Sequence, residues 1–145
     1  MKILAAEHVL PISSEPIAHG SVAIEDDRIV AVGTRDDIVS RFPDAAVTDF
    51  GQSAILPGFV NCHSHLEITS MRGALDDVEH DFRSWLLKLH ELRSGLLPDD
   101  IEAAAVLGAT EGAHAGVTCF GDIGRYGEAG LTALKKVGLR GVLFQ

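Results

Sequence analysis

The sequence runs to 145 residues, near the roughly 150 expected of one domain, and is 46% hydrophobic and 23% charged, an ordinary soluble composition. Twelve basic against 21 acidic side chains give a formal net charge of -9, which argues against a grip on nucleic-acid phosphates and against adhesion to an anionic membrane. No apolar run reaches the roughly 18 residues of a membrane span, Glu7 and His8 interrupt any secretory signal, and two cysteines fit a reducing cytoplasm better than a disulfide framework.

Residues 1 to about 56 read as a small β-rich layer. Ser21 to Glu25 and Arg28 to Val32 are β-rich runs around Asp26-Asp27, the pattern of a hairpin. Thr34 followed by Asp36 and Asp37 reads as a helix start, with the helix ending near Phe42-Pro43. Ala46 to Asp49 and Ala54 to Leu56 are two further strands.

The texture changes after Pro57-Gly58. Phe59 to His65 has strand character. Asp81 to about Arg93 carries Phe82, Trp85, Leu86, Leu89 and Leu92 at helical spacing. Pro98-Asp99-Asp100 opens a second helix that stops at Gly116, and its small face of Ala104, Ala105, Gly108 and Gly112 permits close packing. Val117 to Gly121 is a strand, Glu128 to Val137 a helix, and Arg140 to Phe144 a strand. Strands alternating with helices predict parallel strands with helical crossovers, an α/β fold.

Chemistry concentrates in Leu56-Pro57-Gly58-Phe59-Val60-Asn61-Cys62-His63-Ser64-His65-Leu66-Glu67. Residues two apart on a strand share a face, so His63 and His65 point together, while Cys62 points away into packing. Two neutral imidazoles can share one divalent metal if each has an acceptor to fix its tautomer. The alternative is a pair that hydrogen-bonds to backbone at a strand end. Asn61, on the same face as His63, either orients the ligands or makes a buried hydrogen bond. Glu67 either faces a pocket, binding a substrate hydroxyl or ring nitrogen, or is a solvated carboxylate. Asp122 follows the second strand as a pocket-rim group behind the ligands or as a cap.

The segment Pro57-Gly58-Phe59-Val60-Asn61-x-His63-x-His65-Leu66 resembles the first-strand signature of the amidohydrolase superfamily, in the branch of chlorohydrolases and purine-type deaminases. Met71-Arg72-Gly73, Trp85-Leu86 and Gly116-Val117-Thr118 extend the likeness downstream, and the leader with Gly33 and Asp49 extends it upstream. The resemblance implies the amino-terminal part of a (β/α)8 TIM barrel over residues 57–145, preceded by a small β-sandwich segment over residues 1–56. It makes His63 and His65 ligands of a catalytic divalent metal, zinc first and iron as the alternative. It also implies hydrolysis of a carbon–nitrogen bond outside peptides, on a small purine-like or other amino-substituted heteroaromatic substrate. The family's later histidines and its aspartate are missing from a chain that stops at Gln145, so the expectation is an incomplete and inactive piece, three strands of a barrel whose open edge calls for a partner. Homo-oligomerisation stays open. The rival readings are a cyclic amide or imide hydrolase of the same superfamily and a non-catalytic interaction module.

Overall fold

The structure, a computed structural model, describes residues 1–126 and 128–144; Gly127 and Gln145 lie outside the described residues. It divides into two compact units, Met1–Pro57 and Gly58–Gln145.

The first unit is one five-stranded sheet covered by one helix. Strands β1 (Lys2–Val9), β2 (Ile17–Glu25) and β3 (Arg28–Thr34) form an antiparallel meander, and β4 (Ala46–Asp49) and β5 (Ala54–Ile55) both run parallel to β1. The hairpin falls on Asp26-Asp27 as expected, and Asp26 takes a φ of 53°, a left-handed value that Asp tolerates better than most residues. Helix α1 (Arg35–Arg41) begins where the sequence places it: Thr34 Oγ1 accepts from Asp37 N at 3.4 Å. Its Ile38 is fully buried with Ile3 and Ala23, so one helical turn closes this core. The sequence reading does not single out β1, because its central buried positions, Ala5 and Ala6, are alanines that lack the β-branched signature.

The second unit is a parallel three-stranded sheet in the order β6-β7-β8, from β6 (Phe59–Ser64), β7 (Val117–Ile123) and β8 (Arg140–Phe144). Helices α2 (Phe82–Ser94) and α3 (Pro98–His114) join β6 to β7, and α4 (Ala129–Val137) joins β7 to β8, as the alternating pattern predicts. The openings of α2 and α3 each have a chemical cause. Asp81 accepts from Ser84 N at 3.0 Å, and Asp100 accepts from Leu97 N at 3.0 Å. Gly138 closes α4 with a φ of 82°, the left-handed cap that favours glycine. Leu66, Ala105, Ala109, Phe120, Ala133 and Leu134 make the core.

The small face of α3 packs closely, as predicted. A Cβ on Gly112 would lie 2.3 Å from Phe120 Cζ, and one on Gly108 would lie 2.4 Å from Thr69 Oγ1. Two departures from the sequence reading stand out. Leu66–Met71 and Asp76–Val78 form 3-10 turns, which leave no periodic apolar pattern. Strand β7 runs two residues beyond Gly121, because Asp122 is buried and bonded instead of ending the strand. The sheet positions alternating with Phe120 and Asp122 are open: on β8, Val142 is 57% and Phe144 53% exposed. No helix among the described residues is long and apolar enough to cross a membrane.

Gly112→Ala will force its Cβ into the Phe120 ring and destabilise the protein by about 1–3 kcal/mol, the usual range for overpacking. A urea melt of wild type against variant measures this; equal midpoints would mean that the ring is free to move.

Candidate metal centre

The site is built at the carboxyl end of β6. His63 is on the strand, and His65 is the residue from which the 3-10 turn Leu66–Met71 departs. Their ring centroids lie 5.1 Å apart, edge to face, and both residues are exposed. The Nδ1 of His65 lies 2.8 Å from the Ile123 carbonyl oxygen. A carbonyl only accepts, so Nδ1 carries the proton and the Nε2 lone pair is left for a ligand. This is the acceptor that a metal-binding imidazole requires. Two converging imidazoles, one with its tautomer fixed, therefore fit a divalent metal as part of its ligand set. Among the described residues no group of three or more His, Cys, Asp or Glu assembles, and the pair by itself falls short of the three protein ligands usual at a catalytic zinc.

The neighbours of the pair behave differently from a plain two-residue alternation. A bulge falls between Asn61 and Ser64, so that Asn61 pairs with Phe120 and Ser64 with Asp122. Asn61 is half-buried, lines the cleft beside α3, and accepts from the His63 backbone N–H at 3.1 Å. It bonds to backbone and touches neither imidazole among the described contacts. Cys62 is exposed, which corrects the expectation that it packs, because no described element covers that part of β6.

Asp122 is fully buried, with Oδ1 accepting from Leu66 N and from Ser64 Oγ, each at 2.9 Å. It caps the turn that follows the histidines. Glu67 is 2% exposed, which rules out a solvated carboxylate. Its oxygens accept from Arg125 N at 3.1 and 3.0 Å and from Tyr126 N at 3.0 Å, and Arg93 of α2 pairs with it. Sequence reasoning missed Arg93, the Ile123 carbonyl and the amides of Arg125 and Tyr126. Three of these are backbone groups, which no side-chain pattern reports.

Beside the site, a cleft of about 410 Å³ is lined by Asn61, Ser64, His65, Arg72 and Glu111, among others. Arg72 is paired with both oxygens of Glu111 on α3. The Arg72 guanidinium bonded to Glu111 lowers that carboxyl below its ordinary value, and Glu111 in turn raises Arg72.

Comparison with known proteins bears on this geometry. Residues 54–145, the segment that contains the histidine pair, match the amidohydrolase family model. The chain belongs to the amidohydrolase family. Residues 22–45 also match an imidazolonepropionase-like composite domain of bacteria. A 5-methylthioadenosine/S-adenosylhomocysteine deaminase of Nitratidesulfovibrio vulgaris (strain DP4) is 39% identical over 125 residues, covering 86% of this chain and 28% of the relative. The Helicobacter pylori aminofutalosine deaminase, solved with methylthio-coformycin, superposes with a TM-score of 0.84 at 23% identity over 99% of this chain and 35% of that one. The atrazine chlorohydrolase of Arthrobacter aurescens, solved with zinc, superposes with a TM-score of 0.82 at 22% identity over 99% of this chain and 35% of that one. These likenesses show a shared fold. This amidohydrolase chain thus spans under a third of the length of the curated deaminase it matches.

The Glu111–Arg72 pair gives a pH prediction. A depressed carboxyl stabilises the fold above the unfolded glutamate value near 4.5, and that contribution is lost as the pH falls through the lower folded value. Glu111→Gln will therefore melt below wild type at neutral pH, and the two curves will converge as the solution is acidified below 4.5. Thermal melts at several pH values test it; a gap unchanged by pH would sink it.

Proposed function

We propose that the protein carrying this chain is a metal-dependent hydrolase of carbon–nitrogen bonds other than peptide bonds, which deaminates an amino-substituted, purine-like substrate. The observation that carries the reading is the convergence of His63 and His65, with the Nδ1 of His65 held by Ile123, inside a segment of amidohydrolase sequence. The name of the relative, a 5-methylthioadenosine/S-adenosylhomocysteine deaminase, supports the substrate class. The zinc of the chlorohydrolase structure supports zinc. In the same reading residues 57–145 are the first three strands of a (β/α)8 barrel, and residues 1–56 are part of a composite β-sandwich.

In this proposal His63 and His65 hold the metal through neutral imidazole nitrogens. A bound divalent ion lowers the pKa of water toward 7, making hydroxide available for attack on carbon. The Ile123 carbonyl keeps the His65 proton on Nδ1. Asp122 keeps the backbone at Leu66 in place, directly after His65. Asn61 does the same for the backbone N–H of His63. The cleft beside His65, with its Arg72–Glu111 pair, gives a polar substrate room beside the histidines.

In the protein that carries this chain, His63→Ala and His65→Ala will each cut turnover by more than about a hundredfold, and so will chelation, which zinc will reverse. An ammonia-release assay on amino-purine nucleosides reads the effect. Full turnover in both variants after chelation would overturn the proposal. Ring opening of a cyclic amide without ammonia release would move the chemistry to a cyclic amide hydrolase.

A further inference from the structure

Burying a carboxylate is costly unless its oxygens are fully engaged. Glu67 is buried to 2% exposure only two residues after His65, yet it touches neither imidazole among the described contacts. Its partners are the successive amides of Arg125 and Tyr126 and the guanidinium of Arg93. Those amides belong to the turn that begins just after Ile123, whose carbonyl receives the His65 Nδ1 proton. The next amide of the turn, Gly124 N, donates to Phe144 O at 3.2 Å. Consecutive N–H groups from 124 to 126 are thus all engaged, and among the described residues the only carboxylate holding two of them is Glu67. The contacts reverse direction once: Leu66 N and His65 donate across to Asp122 and to Ile123 O, and then Arg125 and Tyr126 donate back to Glu67.

We propose that Glu67 is a positioning residue for metal capture: it fixes the turn after β7 so that the Ile123 carbonyl holds His65 as the Nδ1–H tautomer, with Nε2 free for the metal. The inference rests on the reading of His65 as a ligand in its second half only, because the tautomer is a property of the metal-free protein. Losing Glu67 frees the two amides and lets the Ile123 carbonyl turn, so the imidazole loses its acceptor. Gln keeps the volume and one acceptor oxygen, and is therefore the milder change; Ala removes both.

The test uses the full-length protein labelled with 15N-histidine and freed of metal by chelation. Long-range 1H–15N spectra will show His65, assigned through His65→Gln, as the Nδ1–H tautomer in wild type and as a mixture in Glu67→Gln. Competition of Zn2+ with a chromophoric chelator will show affinity falling about tenfold in Glu67→Gln and further in Glu67→Ala, the usual range when a group behind a ligand is lost. Circular dichroism confirms that the variants compared are folded. A wild-type His65 protonated on Nε2 overturns the proposal without any variant, so the test survives if the Glu67 variants do not fold. A folded Glu67→Gln or Glu67→Ala with the wild-type tautomer and Zn2+ affinity also overturns it. If wild-type Zn2+ affinity is untouched by His63→Ala and His65→Ala, the functional reading fails by itself, and the tautomer spectra still decide the role of Glu67.

Discussion

One carboxylate oxygen, Oδ1 of Asp122, ties the end of β6 to the end of β7, and the candidate metal centre hangs from that junction. Parallel strands separate at their carboxyl ends, where the ladder stops and the loops begin. Here the ladder stops at Ser64 opposite Asp122. From that point the chain replaces backbone pairing with side-chain pairing. Ser64 and Leu66 donate to Asp122, and the next residues in each segment continue the exchange through His65 and Glu67. Such hydrogen bonds are each worth about 1 kcal/mol net, but breaking one would strand a buried group at a cost of about 1–3 kcal/mol. The junction therefore resists piecemeal loosening.

Packing around that junction is equally committed. Gly130 of α4 presses so close to Asp122 that a Cβ there would lie 2.2 Å from Oδ2. That oxygen has no hydrogen-bond partner among the described residues. The helix thus seals one side of the carboxylate while Ser64 and Leu66 occupy the other. Rigidity of this kind is what a ligand pair needs, since a metal discriminates by geometry as well as by ligand type. The histidines themselves remain exposed, so the rigid part lies behind them and the accessible part in front.

Much of this was legible in the residues. The Asp26-Asp27 hairpin, the Thr34 cap, the Pro98 opening and the Gly138 stop are local chemistry, and local chemistry is written in short stretches of sequence. The convergence of His63 and His65 was legible as well, although a bulge beside them replaces the simple alternation from which it was argued. Glu67 was not. A carboxylate after a strand reads as solvated, and its burial depends on amides brought 58 and 59 residues along the chain by the fold. Arg93 was hidden for a similar reason, as one charge on an amphipathic helix. The 3-10 turn that carries Glu67 gave no period to detect.

The clasp has a consequence for how this protein can change. On the β7 side, beyond Asp122, every group among the described residues that holds the histidine segment is a main-chain atom: the Ile123 carbonyl and the amides of Arg125 and Tyr126. Main-chain atoms survive most substitutions. Exchanging the side chains at 123, 125 and 126 therefore leaves these bonds in place, proline excepted where an N–H is required, although Arg125 also bonds His90 and the Tyr126 ring lies under the Arg93 guanidinium. Selectivity along the rim can then be rewritten by mutation while the seat of the histidines stays where it is.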